Sequence, residues 1–239
     1  MKQIAETDRK FIDMIDLKVH HSIFPVKFPP TDTAWGNIFR FDDKIILPGR
    51  QDIQNFTGSP ILMVIILISG AAAYYDSTGY RKILKEKDTL LVGYGSDGVQ
   101  TIIFNYNENE ENEFLEIWLT TDSTERRRQF FPARVSEEDE AKLSFSIPAL
   151  NDDSIDLNTD SWLWRGRFVG DSDYVIDQTS LNDNLILFVL SGSMTVNNRP
   201  MTYRDGMSLS LKEKITIHFE KETDLLIIQL PDNLNDSVK

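Results

Sequence analysis

The chain has 239 residues, of which 41% are hydrophobic, so it is long enough for two globular domains of about 100–120 residues each. Its formal net charge of -13 argues against duplex DNA or an anionic membrane as a direct partner, because both demand clustered Lys and Arg. It contains no cysteine, which excludes disulfides and thiol chemistry. The N-terminus lacks the apolar segment of a secretion signal, so the cytoplasm is the expected compartment.

The first segments of the chain carry weak signals of local structure. Residues 1–16 place apolar side chains on one side of a helical projection and predict a short amphipathic helix. Residues 34–43 alternate in part and predict a strand that ends in a turn at its two aspartates. Residues 44–49 predict another short strand, stopped by a Pro-Gly pair.

The strongest signal lies in residues 60–74, an apolar run rich in β-branched residues and interrupted by Ser-Gly at 69–70. A turn sequence, Asp-Ser-Thr-Gly, follows at 76–79. The pattern predicts a buried strand, a glycine bend and a second strand that closes a hairpin. The run is too short to span a bilayer, which needs roughly 18–20 apolar residues. A buried helix is the alternative, but Ile and Val dominate and no helix cap precedes the run.

The same design appears a second time in residues 185–196, with an apolar run, a Ser-Gly and a second strand. Further matched segments follow in the same order: 87–91 with 204–209, and 114–119 with 225–230. Two copies in one order indicate a duplicated β domain. Many short strands separated by turn residues favour an all-β fold of two tandem cupin barrels, each a double-stranded β-helix or jelly roll.

The composition changes in residues 120–140, where three arginines at 126–128 precede an acidic run at 136–140. We therefore place the linker here and predict domains at 1–135 and 136–239. The spacing of Ser136 and Asp139 predicts a capped helical turn. The arginines are interpreted as part of a solvated linker, with docking of an acidic partner as the alternative.

An ordered set of motifs resembles the pirin family across residues 19–231. The segments that carry the resemblance are 35–43 (WGNIFRFDD), 47–49 (LPG), 76–79 (DSTG), 115–119 (LEIWL), 160–165 (DSWLWR), 190–192 (LSG) and 204–206 (RDG). Pirins are two-domain cupins, and the family includes quercetin 2,3-dioxygenases and metal-dependent partners of transcription regulators. The resemblance therefore implies a bicupin fold.

The resemblance also implies a metal site, which pirins build in the N-terminal cupin from a His-Pro-His and a later His-Ser-Glu. At the ligand positions this sequence has Phe56, Gly58, Gln100 and Ile102, within one or two residues. Phenylalanine and isoleucine cannot bind a metal, glycine offers no side chain, and glutamine is a weak neutral ligand. We therefore predict no metal, no cofactor and no catalytic residue here, and treat these four positions as a vestigial pocket.

The three histidines do not supply another site. His20 and His21 are adjacent, so an extended chain points them to opposite faces, and His218 alternates with apolar residues and is expected to be exposed. Oxygen donors show no recognisable ligand spacing either; those considered are Asp52, Gln54 and Asp97.

Three functions compete. The favoured hypothesis is a pirin-like bicupin without a functional metal centre that binds an unknown small molecule or protein. The alternatives are a quercetin 2,3-dioxygenase-like oxidoreductase, which needs ligands the sequence lacks, and a metal-independent enzyme using a barrel pocket. Neither the partner nor the oligomeric state can be read from the sequence.

Overall fold

The computed structural model describes residues 2–4, 10–13, 16–21, 38–57, 60–95, 97–121, 127–131, 155–156, 161–176, 183–212 and 214–231. Within these ranges every regular element is a strand, which confirms the all-β prediction. The strands are β1 Lys2–Ile4, β2 Lys10–Asp13, β3 Leu17–His21, β4 Ile38–Ile46, β5 Gln51–Phe56, β6 Ile61–Ser69, β7 Ala71–Asp76, β8 Arg81–Lys85, β9 Thr89–Tyr94, β10 Val99–Asn105, β11 Asn112–Thr120, β12 Arg127–Phe131, β13 Ile155–Asp156, β14 Trp162–Phe168, β15 Ser172–Ile176, β16 Asp183–Ser191, β17 Ser193–Val196, β18 Arg199–Thr202, β19 Gly206–Ser210, β20 Ile215–Phe219 and β21 Thr223–Pro231.

The chain divides into two compact units, one formed by Arg9–Arg134 and the other by Met1–Asp8 with Val135–Lys239. We call them the first and the second barrel. The first barrel contains a sheet in the order β12-β9-β6-β11-β4-β3-β2 and a smaller one in the order β5-β10-β7-β8. The second contains β1-β19-β16-β21-β14-β13 and β15-β20-β17-β18. The described ranges contain no helix long and apolar enough to cross a membrane.

The two barrels repeat one topology. The order β9-β6-β11-β4 in the first corresponds to β19-β16-β21-β14 in the second, and the two smaller sheets correspond strand by strand. Gly70 lies between β6 and β7 with a φ of 85°, and Gly192 lies between β16 and β17 with a φ of 90°. Both backbones occupy a region open chiefly to glycine, so the Ser-Gly bend is the same device in both copies.

The central strand β6 confirms the prediction of a buried strand. Seven successive residues, Ile61 to Leu67, are buried, so neither face of the strand reaches water. Its odd-numbered side chains join the core of the first barrel, and the others are covered on the opposite face. A strand covered on both faces has no reason to alternate, which explains the continuous apolar run.

Two local predictions are wrong. The described parts of residues 1–16 are strands and not a helix: β1 pairs with β19 and β2 pairs with β3, both antiparallel. Backbone hydrogen bonding at sheet edges thus outweighs a weak amphipathic pattern. The expected turn at the two aspartates is also absent, because β4 continues through Asp42 and Asp43 in register with β11.

Candidate functional site

A buried ion cluster lies inside the first barrel, where β4, β5 and β11 each turn a charged side chain inward. Lys44 Nζ is 2.9 Å from Asp52 Oδ2 and 2.9 Å from Glu116 Oε1. The side chains of Lys44 and Glu116 are 1% and 0% exposed, so water screens this pair very little. Burial by itself would lower the pKa of Lys44, but Glu116 and Asp52 outweigh it and raise that pKa. The lysine is therefore a fixed cation at neutral pH.

Gln54 and Trp118 complete the hydrogen bonding of the two carboxylates. Gln54 Nε2 donates to Asp52 Oδ2 at 2.7 Å and to Glu116 Oε2 at 2.6 Å, and Trp118 Nε1 donates to Glu116 Oε1 at 2.7 Å. Glu116 thus accepts hydrogen bonds from a lysine, a glutamine and a tryptophan. This network satisfies a carboxylate that has no access to water, which is the condition for burying it without a large penalty.

Arg40 adds a second cation one step along β4. It is ion-paired with Asp42, and its Cζ lies 4.3 Å from the centroid of the Trp118 ring. Burial alone would lower the pKa of Arg40, but the carboxylates of Glu116 and Asp42 outweigh it and raise that pKa. Because its side chain is 29% exposed, Arg40 is the member of the cluster that a ligand from solvent could reach.

Aromatic rings fill the barrel beside the ion cluster. Phe56 stacks on Tyr94 with centroids 5.1 Å apart and packs against Trp118 at 4.5 Å. The hydroxyls of Tyr74 and Tyr94 share a hydrogen bond of 2.5 Å. Burial raises the pKa of both tyrosines, so both stay protonated at physiological pH. This part of the interior is mainly apolar.

Arg128 packs against the same aromatic region. Its contacts correct the interpretation of the arginine run as part of a solvated linker. Residues Arg127–Phe131 form strand β12, which pairs with β9. Arg128 Nε donates to Asp76 Oδ2 at 2.9 Å and Nη1 donates to the Gly93 carbonyl at 2.8 Å, while Cζ lies 5.2 Å from the Tyr94 ring. The helical turn predicted at 136–139 lies outside the described residues.

Asp76 is the anionic partner of Arg128, and its side chain is fully buried. Its Oδ1 also accepts a hydrogen bond of 2.9 Å from the backbone N–H of Thr78. Burial alone would raise the pKa of Asp76, but the hydrogen bonds from Thr78 and Arg128 and the Arg128 charge outweigh it and lower that pKa. The pair therefore ties β12 to the turn after β7 through an ionised carboxylate.

The four positions predicted for the vestigial pocket do not all face the interior. Phe56 lies in the core, and Gly58 lies outside the described residues. Gln100 is exposed on the outer face of β10, where its Nε2 donates to Asn55 Oδ1 at 3.0 Å, and Ile102 points to the same outer face. The inward positions of this strand opposite Gln54 and Asp52 are instead Thr101 and Ile103, which are 1% and 2% exposed.

The sequence reasoning missed the charged residues that occupy the interior. Lys44, Glu116 and Arg40 lie on strands whose two faces are both largely buried, so alternation does not separate inward from outward positions. Of the oxygen donors considered, Asp52 and Gln54 join the cluster, whereas Asp97 is exposed in the turn before β10. His218 points outward from β20, as predicted, and its Nδ1 lies 2.9 Å from Asp173 Oδ1. The side chains of His20 and His21 lie outside the described residues.

These residues do not fit the metal ion that the resemblance implies. The side chains that face the interior at the corresponding positions are Phe56, Thr101 and Ile103, of which only the threonine carries an oxygen. The neighbouring carboxylates already have Lys44 as their cation. Across the ranges that the structure describes, no group of three or more His, Cys, Asp or Glu side chains is arranged to hold a metal.

Two tandem jelly-roll units of one topology define the class of protein as a bicupin. Residues 145–230 match the family model described as the quercetinase C-terminal cupin domain. The quercetin 2,3-dioxygenase of Escherichia coli O157:H7 is 21% identical over 89% of this chain and 90% of its own length.

Solved structures agree with this assignment. The crystal structure of YhhW from Escherichia coli superposes with a TM-score of 0.81 at 17% identity, covering 96% of this chain and 97% of that one. The bacterial pirin YhhW in complex with nickel(II) gives a TM-score of 0.79 at 16% identity, covering 96% and 98%. The chain is a pirin-like bicupin.

Proposed function

We propose that this pirin-like bicupin has no functional metal centre and acts by binding a small molecule or a protein. The observation that carries the proposal is the placement of Phe56 in the first barrel. At 6% exposure its ring fills the interior between Tyr94 and Trp118, where the resemblance would put an imidazole. A phenyl ring supplies no lone pair to a metal ion.

The ion cluster supports the same proposal. Two carboxylates beside the family's metal positions would be the natural replacement ligands, yet Lys44 Nζ lies within 2.9 Å of both Asp52 and Glu116. A metal ion could take this place only if the ammonium group left, and that group has no solvent into which to move. The ammonium group thus already occupies the position between the two carboxylates that a metal ion would need.

One polar group of the cluster is open to a small molecule from solvent, and a second has an unused acceptor inside the barrel. Arg40 is partly exposed beside the Trp118 ring, and Gln54 Oε1 is buried without a hydrogen-bond partner among the described residues. An acceptor, a guanidinium and aromatic faces together suit a planar ligand that carries a hydroxyl or carboxylate.

The relatives named as quercetin 2,3-dioxygenases motivate the competing function, and quercetin turnover separates the two. The chain is loaded with Fe(II), and oxygen uptake is followed with quercetin present, with the Escherichia coli relative as a positive control. We expect no uptake above the rate without protein, because oxygen activation on this route needs a coordinated metal. Turnover that a chelator abolishes would overturn the proposal.

A further inference from the structure

We propose that the outward face of the sheet β5-β10-β7-β8 docks a second copy of this chain; this inference does not rest on the proposed function. Alternate residues of these strands point away from the core of the first barrel. We call the resulting surface the outer face. It comprises three positions on each of the four strands: Gln51, Ile53, Asn55, Gln100, Ile102, Phe104, Ala71, Ala73, Tyr75, Arg81, Ile83 and Lys85.

The apolar members of the outer face are neighbours rather than scattered residues. In one cross-strand row Ile53 pairs with Ile102, which pairs with Tyr75. In the adjacent row Phe104 pairs with Ala73, which pairs with Ile83. Ile53 and Ile83 are 47% and 50% exposed. A continuous apolar patch two rows deep and three strands wide in each row is unusual on a surface that faces only water.

The second barrel shows that the fold does not require this patch. Its sheet β15-β20-β17-β18 has the same strand order, and the row three residues after its glycine bend is Asp173, His218, Thr195 and Pro200. The matching row of the outer face is Gln51, Phe104, Ala73 and Ile83. Where one barrel exposes threonine, histidine and aspartate, the other exposes phenylalanine and isoleucine. The apolar row is therefore a property of the outer face of the first barrel and is not required by the fold that the two barrels share.

The charges of the outer face fit a second copy. The chain has 38 Asp and Glu residues and a net charge of -13, yet none of the outer-face positions is acidic. Two copies of so acidic a chain repel each other, and a face without carboxylates keeps that repulsion lowest at contact. The charges that the outer face does carry are the cations of Arg81 and Lys85, both on β8.

A two-fold axis parallel to the strands would set β8 of one copy over β5 of the other. The acidic loop after β10 lies at the start of β5, because Gly49 N donates to the Asn107 carbonyl at 2.9 Å. Lys85 of one copy would then approach the end of the sheet that carries the exposed Glu108 and Glu110 of the other. The two-fold axis repeats this contact of Lys85 with the acidic loop at each edge of the interface, so the charges of the two copies are complementary.

The area of the outer face limits the size of the interface that two copies can form. Four strands spaced about 4.8 Å apart, with outward residues every ~6.7 Å, give a sheet area of roughly 400 Å². A standard stable interface takes about 800 Å² from each partner, so this face forms the apolar centre of a weak dimer. We expect weak association that depends on concentration.

Sedimentation velocity tests the inference on the full chain at concentrations from about 1 µM to about 1 mM. The wild type should shift from monomer to dimer. Ile53→Lys, which puts a cation on edge strand β5 opposite Arg81 of the other copy, should raise the dissociation constant at least ~10-fold. Val175→Lys is the matched control, because Val175 is 51% exposed at the outward position of β15 that corresponds to Ile53 on β5. It should dimerise as the wild type does.

Three results would overturn the inference. A wild type that stays monomeric throughout would assign the outer face to a different protein. A dimer that Ile53→Lys leaves intact would place the interface elsewhere, and so would equal losses in Ile53→Lys and Val175→Lys. Circular dichroism of each variant establishes that it is folded before its mass is compared.

Discussion

Lys44 and Glu116 form an ion pair sealed inside the first barrel, with Nζ 2.9 Å from Oε1 and both side chains out of contact with water. The two residues are 72 positions apart in sequence and are brought together because β4 and β11 are neighbours in one sheet. A buried ion pair contributes little over an apolar pair of the same size, but removing one member leaves a buried charge without its partner. The cluster is therefore a sensitive point of the structure.

Replacing Lys44 with methionine should destabilise the protein strongly. The variant keeps most of the side-chain volume but leaves Asp52 and Glu116 without their cation. We expect the free energy of unfolding to fall by about 3–5 kcal/mol at neutral pH. Urea unfolding followed by tryptophan fluorescence measures the change.

Lys18→Met provides the matched control for that variant. Lys18 makes a 3.0 Å ion pair with Glu111, but the two side chains are 33% and 47% exposed. Solvent screens such a pair, so we expect a loss below about 1 kcal/mol. If both methionine variants lost the same free energy of unfolding, the buried Lys44 pair would contribute no more to stability than an exposed ion pair.

Replacing Asp76 with asparagine should cost stability in a manner that depends on pH. Its pKa is lowered from the ordinary value of 3.8, so its contribution is present above that pH and is lost as pH falls through the lowered pKa. We expect Asp76→Asn to lower the free energy of unfolding by about 1–3 kcal/mol at neutral pH. The difference from the wild type should shrink below about pH 4.

Asp173→Asn serves as the control for Asp76. Asp173 also pairs with a basic side chain, His218, but its own side chain is 84% exposed. Its substitution should leave the unfolding curve unchanged at both pH values. A deficit of Asp76→Asn that stays constant from neutral to acid pH would contradict an ionised role for this carboxylate.

Much of the fold could be predicted from the sequence because local signals and global structure agree. The apolar run of β6, the Ser-Gly bend and its second copy in β16 predicted a duplicated β architecture, and the positive φ angles of Gly70 and Gly192 explain the repeated glycine. The N-terminal strand β1 could not be foreseen in this way. β1 forms because it pairs with the edge strand β19, where Lys2 lies opposite Ser208. A partner so far along the chain leaves no pattern in the local sequence.

The interior of the site was less predictable for a different reason. Counting along β10 gave Gln100 and Ile102, but side chains alternate with a period of two, so an error of one residue exchanges the two faces of a strand. The structure turns Thr101 and Ile103 inward instead. Lys44 and Glu116 left no sequence signal, because the neighbours of each are buried or half-buried on the opposite face.

Gly192→Ala should destabilise the second barrel. The backbone at Gly192 has a φ of 90°, and an added Cβ would meet the Glu222 carbonyl oxygen at 2.2 Å. Backbone cannot move aside as a flexible side chain can, so we expect a loss of more than about 2 kcal/mol in thermal or urea unfolding.

Gly49→Ala separates the clash from the backbone strain at Gly192. Gly49 also has a positive φ, of 66°, but nothing lies within 4 Å of its added Cβ. Its substitution should cost only about 1 kcal/mol. If Gly49→Ala were as damaging as Gly192→Ala, the close approach to Glu222 would not be the cause.

The metal content of the protein tests the central claim most directly. Protein purified without a chelator is analysed for iron, nickel, zinc and manganese by mass spectrometry, before and after incubation with Fe(II) and gel filtration. Because Phe56, Thr101 and Ile103 face the interior and the Lys44 ammonium already lies between Asp52 and Glu116, we expect below about 0.1 metal ion per chain. A content near one ion per chain, lost when Asp52 or Glu116 is replaced by alanine, would contradict the account.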